Sequence, residues 1–295
     1  MSTTVSTSSR LTSKINALSR ELSKLSPQVQ AKLIAELPKL EASIATYDRL
    51  HKLFTYYPDD GPLRRILYPR HMEFFAAGGQ HQALPTCPDD CDGSPHRDRL
   101  ALCANRVGKT EGMGGFEVAL HLTGRYPHWW QGHRFSASID SWVSGKTNEA
   151  SRNIVQTKLF GKVTGAGQGK SFAGTGLIPF EDIGDVTWKR GITNLADTVM
   201  VKHCSGGWSE CGIKSYEQKR GAFEGTEKDL IWLDEEPEHA IYEECGVRLM
   251  TRRGHLILTF TPMEGMSDVV KAFLPGGSLP NRLEERAEWL MQAVS

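Results

Sequence analysis

The sequence lacks several features that would fix its class at once. Neither charge sign is in excess, since 35 Lys+Arg stand against 35 Asp+Glu, so any contact with nucleic acid must come from a local basic patch. Only six cysteines are present, without a short secretory framework, which predicts free thiols or metal ligands in a reducing compartment. No apolar run reaches membrane-spanning length, and the polar start MSTTVSTSSR is not a signal peptide. What remains is a globular protein, for which 295 residues with 39% hydrophobic content suffice.

The hydrophobic patterns divide the chain into three parts. Residues 1–55 are expected to be a disordered start followed by N-terminal helices, because apolar residues recur at helical spacing over 11–25 and 29–53. From residue 99 apolar runs alternate with helical stretches, which is typical of a parallel sheet with crossover helices. The main domain is expected to cover 56–275, and a linker or helix to follow at 276–295. We predict strands at 99–104, 134–139, 198–204, 213–216, 230–233 and 256–261, helices at 63–77, 109–122 and 148–159, and a glycine-rich loop at 162–176.

The stretch LCANRVGKT, residues 102–110, ends like a phosphate-binding loop. Cys103 stands where such a loop usually opens with glycine, yet a predicted strand precedes the stretch and a predicted helix follows it. Gly108 lies where the backbone must come closest to phosphate. In such a loop backbone N–H groups hold the phosphates, Lys109 reaches the β/γ oxygens and Thr110 binds magnesium. The alternative is an ordinary strand-to-helix turn with a solvated lysine.

A second Gly-Lys-Thr at 145–147 competes for this role, because it also lies between a predicted strand and a predicted helix. Its Thr147 can equally serve as a helix cap.

Acidic residues end another predicted strand. The run LIWLDE, residues 230–235, reads as a fully buried strand whose tip carries two carboxylates. A magnesium nucleotide needs one carboxylate, assigned to Asp234, and a hydrolase needs a second acid to orient water, assigned to Glu235. Acids at a helix N-terminus are the alternative. The run LILTFTP, residues 256–262, adds a strand whose threonine hydroxyls can sense the γ-phosphate.

Five phrases together carry a resemblance: NRVGKTEG, HLTGRYPHWWQG, SYEQKRGAFEGT, LIWLDEEP and LILTFTPMEG. The chain resembles the ATPase half of the tailed-phage terminase large subunit, the DNA-packaging motor, over about residues 56–275. The resemblance implies an α/β fold, a P-loop NTPase of the additional-strand, catalytic-glutamate type. In that fold a mainly parallel central sheet is flanked by helices, here with an N-terminal helical segment added. ATP and Mg²⁺ are the implied cofactors.

The resemblance also assigns roles to single residues. Lys109 and Thr110 of the Walker A loop bind phosphate and magnesium, Asp234 of the Walker B strand completes the metal site, and Glu235 activates water. Arg106 is expected to act as an arginine finger within the same chain, with a phosphate-positioning or structural role as the alternative. The residues expected at ATP are Cys103, Ala104, Asn105, Arg106, Val107, Gly108, Lys109 and Thr110, together with Tyr68, Pro69 and His71 of the adenine motif, where His71 replaces the usual glutamine. Thr259 and Thr261 match the motif that couples γ-phosphate loss to domain movement.

The implied function is ATP hydrolysis that drives double-stranded DNA into a procapsid. The implied partners are that DNA, the portal protein and the small terminase subunit, with the chain in a homo-oligomeric ring in the host cytoplasm and away from membranes. Lys162 and Lys170 are candidates for DNA contact, solvated charge being the alternative. The family continues into a nuclease domain, and because this chain ends at Ser295 we expect no DNA cleavage from it.

Two other classes stay open at the level of sequence. Another P-loop translocase or a helicase-like ATPase would use the same nucleotide site. A non-catalytic zinc adaptor would use Cys87, Cys91, Cys204 and Cys211, although neither pair has the Cys-x-x-Cys form that zinc sites favour.

Overall fold

The computed structural model describes residues 24–82, 91–263 and 265–274. The chain divides into two compact units, the first ending at His51 and the second beginning at Lys52. The expectations for 11–23, for Cys87 and for 276–295 lie outside the described residues.

The described part of the first unit is one helix, α1 (Pro27–Leu50). Ser26 caps it, because its hydroxyl accepts the Val29 N–H at 3.4 Å. Pro27 suits the first helical position, where an N–H has no partner within the helix, and Pro38 lies inside the helix. None of the residues of α1 is buried. The pattern over 29–53 thus predicted the helix. The helix ends at Leu50, and after His51 a further short helix begins at Lys52.

The second unit holds seven helices among its described residues. They are α2 (Lys52–Thr55), α3 (Pro69–Ala77), α4 (Phe116–Thr123), α5 (Asn148–Ala150), α6 (Thr157–Phe160), α7 (His239–Met250) and α8 (Asp268–Ala272). A π-helical segment, Lys109–Gly115, leads into α4, and another, Ser151–Gln156, joins α5 to α6. Short 3₁₀ turns occur at Arg65–Leu67, Gly167–Gly169, Phe180–Asp182, Tyr216–Gln218 and Arg220–Phe223. Among the described helices of the whole chain, none combines the length and the apolar composition needed to cross a bilayer.

Seven strands form the central sheet in the order β1-β9-β8-β2-β7-β6-β5. The first five of that order pair in parallel, and β6 and β5 add an antiparallel edge. Strand β9 lies between β1 and β8, so one additional strand separates the phosphate-loop strand from the strand with the two acids. The strands are β1 (Asp98–Leu102), β2 (Asp140–Gly145), β5 (Ile183–Trp188), β6 (Ala196–Lys202), β7 (Trp208–Ser215), β8 (Leu230–Asp234) and β9 (His255–Phe260), with a separate hairpin of β3 (Val163–Thr164) and β4 (Ser171–Phe172).

The sheet is buried on both faces, and strand β8 shows why its sequence is apolar throughout. Successive side chains of a strand point to opposite faces. Leu230 and Trp232 accordingly join the core cluster that contains Phe116, whereas Ile231 and Leu233 join a second cluster on the other face. Helix α7 supplies Ile241, Cys245 and Leu249 to that second cluster. Helices on both faces of a mainly parallel sheet are the predicted α/β fold class.

Two expectations about single elements need correction, and two further elements were missed. The second strand is β2 at Asp140–Gly145 and not 134–139, because the Phe135 N–H donates to the Tyr126 hydroxyl at 2.8 Å instead of to a strand. The glycine-rich segment 162–176 contains the β3–β4 hairpin, which the fully buried Phe172 anchors to the core. Strand β5 and helix α7 were not predicted from the sequence.

Candidate nucleotide site

The predicted phosphate loop follows β1 directly and ends at the π-helical turn. Gly108 has a left-handed backbone with φ 84°, and so does Arg106 with φ 66°. Glycine adopts this conformation freely, whereas a non-glycine residue pays about 1–3 kcal/mol, and such residues concentrate at functional sites. The Gly108 carbonyl accepts the N–H of Gly112 at 2.7 Å, so the helix starts immediately at the loop.

The loop residues differ in exposure. Lys109 is 7% exposed, so its side chain is held within the site rather than in solvent. Asn105, Arg106 and Gly108 are exposed, and Cys103, Ala104, Val107 and Thr110 are half-buried.

Glycines let the helix after the loop lie close against its neighbours, which are Trp232 of strand β8 and Tyr57. A Cβ on Gly114 would overlap the Trp232 indole, and one on Gly112 would lie 2.8 Å from the Tyr57 hydroxyl. Glycine is therefore required at both positions by close approach. Gly114 thus allows the close approach to β8 that brings Thr110 near the tip of that strand.

Thr110 and Asp234 come together from positions 124 residues apart. The Thr110 hydroxyl donates to Asp234 Oδ1 at 3.0 Å, and Thr259 Oγ1 donates to the same oxygen at 2.7 Å. The Trp232 indole N–H in turn donates to Thr259 Oγ1 at 2.8 Å. A carboxylate and a hydroxyl side by side offer the hard oxygen ligands that Mg²⁺ takes.

The Asp234 carboxyl is buried and has no ion pair among the described side chains. Burial raises its pKa to about 7, and the nearby Glu235 adds to the rise, while the hydrogen bonds from Thr259 and Thr110 and the charge of Lys109 act in the opposite direction. An ionised carboxylate at such a place is costly unless a positive charge joins it. The burial and the two hydroxyl neighbours fit a divalent cation, whose charge would stabilise the ionised carboxylate.

Glu235 occupies the turn after β8 in a left-handed conformation, with φ 67°. Its N–H donates to the Thr259 carbonyl at 3.0 Å. The Tyr216 hydroxyl lies 3.0 Å from the Asp234 carbonyl oxygen and 2.8 Å from that of Glu235, so it holds the backbone of both acids. Tyr216 was missed as a site residue, although it stands in the phrase SYEQKRGAFEGT, directly after β7.

The two threonines of the β9 tip reach different parts of the site. They are two positions apart, so their side chains leave the same face. Thr259 contacts Asp234, and Thr261 Oγ1 donates to the Cys103 carbonyl at 2.9 Å and lies 3.0 Å from Asn105 Oδ1. One strand thus connects the metal-ligand candidate with the beginning of the phosphate loop.

The candidate adenine-motif residues lie at the start of α3, and one of them contacts the loop. Pro69 begins α3 and Tyr68 precedes it. His71 is 8% exposed, with Nδ1 2.6 Å from the Tyr57 hydroxyl and Nε2 3.2 Å from the Val107 carbonyl. This geometry makes His71 a support of the phosphate loop, and its contact with adenine stays a prediction.

The second Gly-Lys-Thr forms the end of β2 and a helix cap. Thr147 Oγ1 accepts the Ala150 N–H at 3.0 Å, which caps the start of α5. Lys146 is exposed and lines a cavity of about 310 Å³ next to Tyr216 and Glu236. No carboxylate contact of Thr147 resembles that of Thr110 among the described residues, so the two motifs have different surroundings.

Of the cysteines predicted for a zinc adaptor, the three that the structure describes lie apart. Cys204 Sγ donates to the Gly124 carbonyl at 3.2 Å, and Cys211 is fully buried within β7. Cys91 instead lies with two histidines. Of the lysines suggested for DNA, Lys162 is exposed, whereas the Lys170 ammonium lies 3.8 Å from the centroid of the Trp188 ring.

Comparison with known proteins identifies the family. The family model described as terminase large subunit, T4likevirus-type, N-terminal, matches residues 100–291. The large terminase subunit of Salmonella phage P22 is 33% identical over 276 residues, covering 87% of this chain and 48% of that protein. The large terminase of a thermophilic bacteriophage, solved in complex with ADP, shares 14% identity at a TM-score of 0.40, over 65% of this chain and 38% of that one. This chain thus spans about half the length of the curated relative.

The family match contains every predicted site residue from Cys103 to Thr261, and the adenine-motif residues at 68–71 lie before it. The chain therefore belongs to the terminase large subunit family of the T4-like type, in the part described by the N-terminal model.

Proposed function

We propose that this chain is the ATP-hydrolysing motor domain of a terminase large subunit, which drives double-stranded DNA into a procapsid. The observation that carries the proposal is the contact of Thr110 with Asp234 at 3.0 Å, beside the buried Lys109. The candidate phosphate-binding loop and the acidic tip of β8 meet there, and the binding of a magnesium nucleotide needs both. Membership of the terminase family supplies the biological setting.

The loop residues would bind the triphosphate. Backbone N–H groups from Cys103 to Thr110 and the start of the following helix provide donors for phosphate oxygens. Lys109 would reach the β/γ oxygens. Arg106, exposed and with a left-handed backbone, would extend toward the transferred phosphoryl group and balance its charge. The aromatic face of Tyr68, with Pro69 and His71, would border the adenine.

Thr110 and Asp234 would hold Mg²⁺, which supplies positive charge to the phosphate oxygens when bound. Glu235 would accept a proton from the attacking water as general base. The backbone of Glu235 is fixed on two sides, by the Thr259 carbonyl and the Tyr216 hydroxyl, so the carboxylate starts from a defined position.

Strand β9 would couple hydrolysis to movement. Thr259 contacts the metal-ligand candidate, and Thr261 contacts the loop. Loss of the γ-phosphate changes the charge near Asp234, and both threonines would transmit that change along one strand.

The partners follow from the family and belong to this proposal: double-stranded DNA, the portal protein, a small terminase subunit and further copies of the chain in a ring, in the host cytoplasm. Binding to DNA would be directed at phosphates and weakened by salt. Exposed Lys162 is one candidate contact.

The test is magnesium-dependent ATP hydrolysis at increasing protein concentration. We expect Lys109→Ala and Glu235→Gln to reduce turnover by about 100-fold or more, because they remove a phosphate contact and the general base. Lys146→Ala is the matched control, since it changes the lysine of the other Gly-Lys-Thr and should keep the parent rate.

The outcomes separate the two motifs. A loss of turnover in Lys146→Ala with an active Lys109→Ala would move the site to the second motif. An active parent with no change in any variant would refute the assignment altogether.

A further inference from the structure

Three metal-ligating side chains meet in the connection between α3 and β1, away from the nucleotide site. They are His81, Cys91 and His96, and one ligand atom from each lies within 4.8 Å of the other two. No other group of three His, Cys, Asp or Glu side chains in the described part of the chain has such spacing.

The separations of the ligand atoms are those that a zinc ion imposes. Cys91 Sγ lies 3.5 Å from His81 Nε2 and 3.6 Å from His96 Nε2. With Zn–S near 2.3 Å and Zn–N near 2.1 Å at a tetrahedral angle, sulfur and nitrogen ligands of one ion lie about 3.6 Å apart. The three side chains thus stand at coordination distance before any ion is added.

The tautomer of His81 directs the lone pair of Nε2 toward Cys91, where a metal ion would bind. Its Nδ1 lies 2.9 Å from the Gly79 carbonyl oxygen, which can only accept a hydrogen bond. Nδ1 therefore carries the proton, and in the neutral ring the lone pair is on Nε2, the atom that faces Cys91. A backbone carbonyl that fixes the tautomer of a ligating histidine is a recurrent feature of metal sites.

The backbone around Cys91 is also arranged for a thiolate. The Gly93 N–H donates to Cys91 Sγ at 3.4 Å, which stabilises negative charge on sulfur. Gly93 has φ +79°, and a Cβ there would overlap the His81 carbonyl oxygen, so the turn after Cys91 needs glycine. The His81 N–H donates to the Gly93 carbonyl at 3.0 Å, which joins the two sides of the cluster.

We propose that His81, Cys91 and His96 bind a structural zinc ion, with the fourth position of the tetrahedron taken by water or one further ligand. The donor set of two imidazoles and one thiol is the borderline-soft set that zinc selects. Because ligands come from both ends of a connection that leads directly into β1, the ion closes this segment and fixes the entry to the phosphate-loop strand.

The experiment measures metal on the full chain, purified under reducing conditions. We expect about one zinc per chain by mass spectrometry of the metals. After removal of the metal by a chelator, Co²⁺ added to the reduced protein should give the near-ultraviolet thiolate-to-cobalt charge-transfer band together with the visible bands of tetrahedral cobalt. Cys91→Ser should lose the charge-transfer band, and the matched control Cys204→Ser, which removes an exposed thiol outside the cluster, should keep it.

A second readout avoids dependence on the folding of a variant. Zinc returned to the stripped parent should raise its thermal unfolding midpoint, because an ion that binds the folded state stabilises it. The proposal is overturned if the parent retains no zinc and shows no cobalt band, or if Cys91→Ser keeps the band. ATP hydrolysis is measured separately, so this test stands apart from the proposed function.

Discussion

His255, the first residue of β9, is buried at 3% exposure among other titratable groups. Its ring centroid lies 4.3 Å from that of His133, and its Nδ1 is a buried nitrogen without a hydrogen-bond partner among the described residues. Burial, with the positive charge of Arg99 added, lowers the pKa of His255 to about 2. The histidine therefore stays neutral in the folded chain at every pH where the protein would be handled.

This burial predicts acid sensitivity. Unfolded histidine binds a proton below about pH 6.5 and folded His255 does not, so the free energy of unfolding falls as the pH falls from 6.5 toward 2. Its share amounts to about 2 kcal/mol between pH 6.5 and 4.5. In urea unfolding, we expect the free energy of unfolding of His255→Leu to fall by about 2 kcal/mol less than that of the parent over the same pH interval. His128→Leu, at an exposed histidine, controls for residue type, and equal pH slopes in parent and His255→Leu would contradict the argument.

The chemistry of the individual side chains explains which residues of the candidate site could be predicted from the sequence. Lys109, Thr110 and Asp234 belong to types and spacings that phosphate and magnesium demand, and the structure brings the threonine to the aspartate. Tyr216 contacts the site through hydrogen bonds to two backbone carbonyls, and Trp232 donates a hydrogen bond to a threonine hydroxyl. Such contacts depend on the placement of neighbouring strands, which no local pattern encodes.

One buried ion pair joins two elements of the core. Arg99 of β1 donates to Glu117 of α4 at 2.6 and 3.0 Å, and His121 Nε2 lies 3.1 Å from the same carboxylate. Burial alone would raise the pKa of Glu117, but Arg99 and His121 outweigh it and lower the pKa to about 2. The pair therefore ties the phosphate-loop strand to the helix that follows the loop.

Glu117→Gln is expected to destabilise the protein by about 3–5 kcal/mol, because it leaves the Arg99 guanidinium buried without its counter-charge. Urea unfolding at pH 7 measures this. The matched control is Glu111→Gln, just before α4, whose ion pair with Lys158 is partly exposed and should be worth no more than about 1 kcal/mol. Equal losses of unfolding free energy in the two variants would show that the buried ion pair of Arg99 and Glu117 stabilises the protein no more than a partly exposed pair does.

At the scale of elements, apolar runs located the buried strands better than any other signal. β8 and β9 are buried along their whole length and were predicted within about one residue at each end. β2 begins with Asp140 and contains two serines, so its sequence has no continuous apolar run. The apolar residues just before it therefore led to the wrong prediction of a strand at 134–139. β5 is an edge strand with alternating exposure. Its pairing with β6, which its own composition does not predict, places it in the sheet.

Considering the whole molecule, both hydrophobic clusters are built from residues between Leu53 and Leu274. Helix α1 contributes no buried residue to either, and its apolar side chains, including Ile34 and Tyr47, are exposed. The second unit thus contains all of the described core.

We expect a chain that begins at Lys52 to unfold at the same thermal midpoint as the parent, because the described residues before it, 24–51, include no core residue. Phe116→Ala in the full chain serves as the contrast, since truncation of this fully buried ring should cost about 3–5 kcal/mol. A midpoint for the shortened chain as low as that of Phe116→Ala would disprove the independence of the second unit.

The sheet order also sets a sequence of events in time. Among the described strands β1 pairs only with β9, with Asp98 opposite Leu256, so the strand that carries the phosphate loop is made early and finds its neighbour late. Contacts so distant along the chain form slowly, and during synthesis this one must wait until residue 260 has left the ribosome. The candidate nucleotide site is consequently among the last parts of the fold to form, and a nascent chain shorter than this lacks the contact between Thr259 and Asp234.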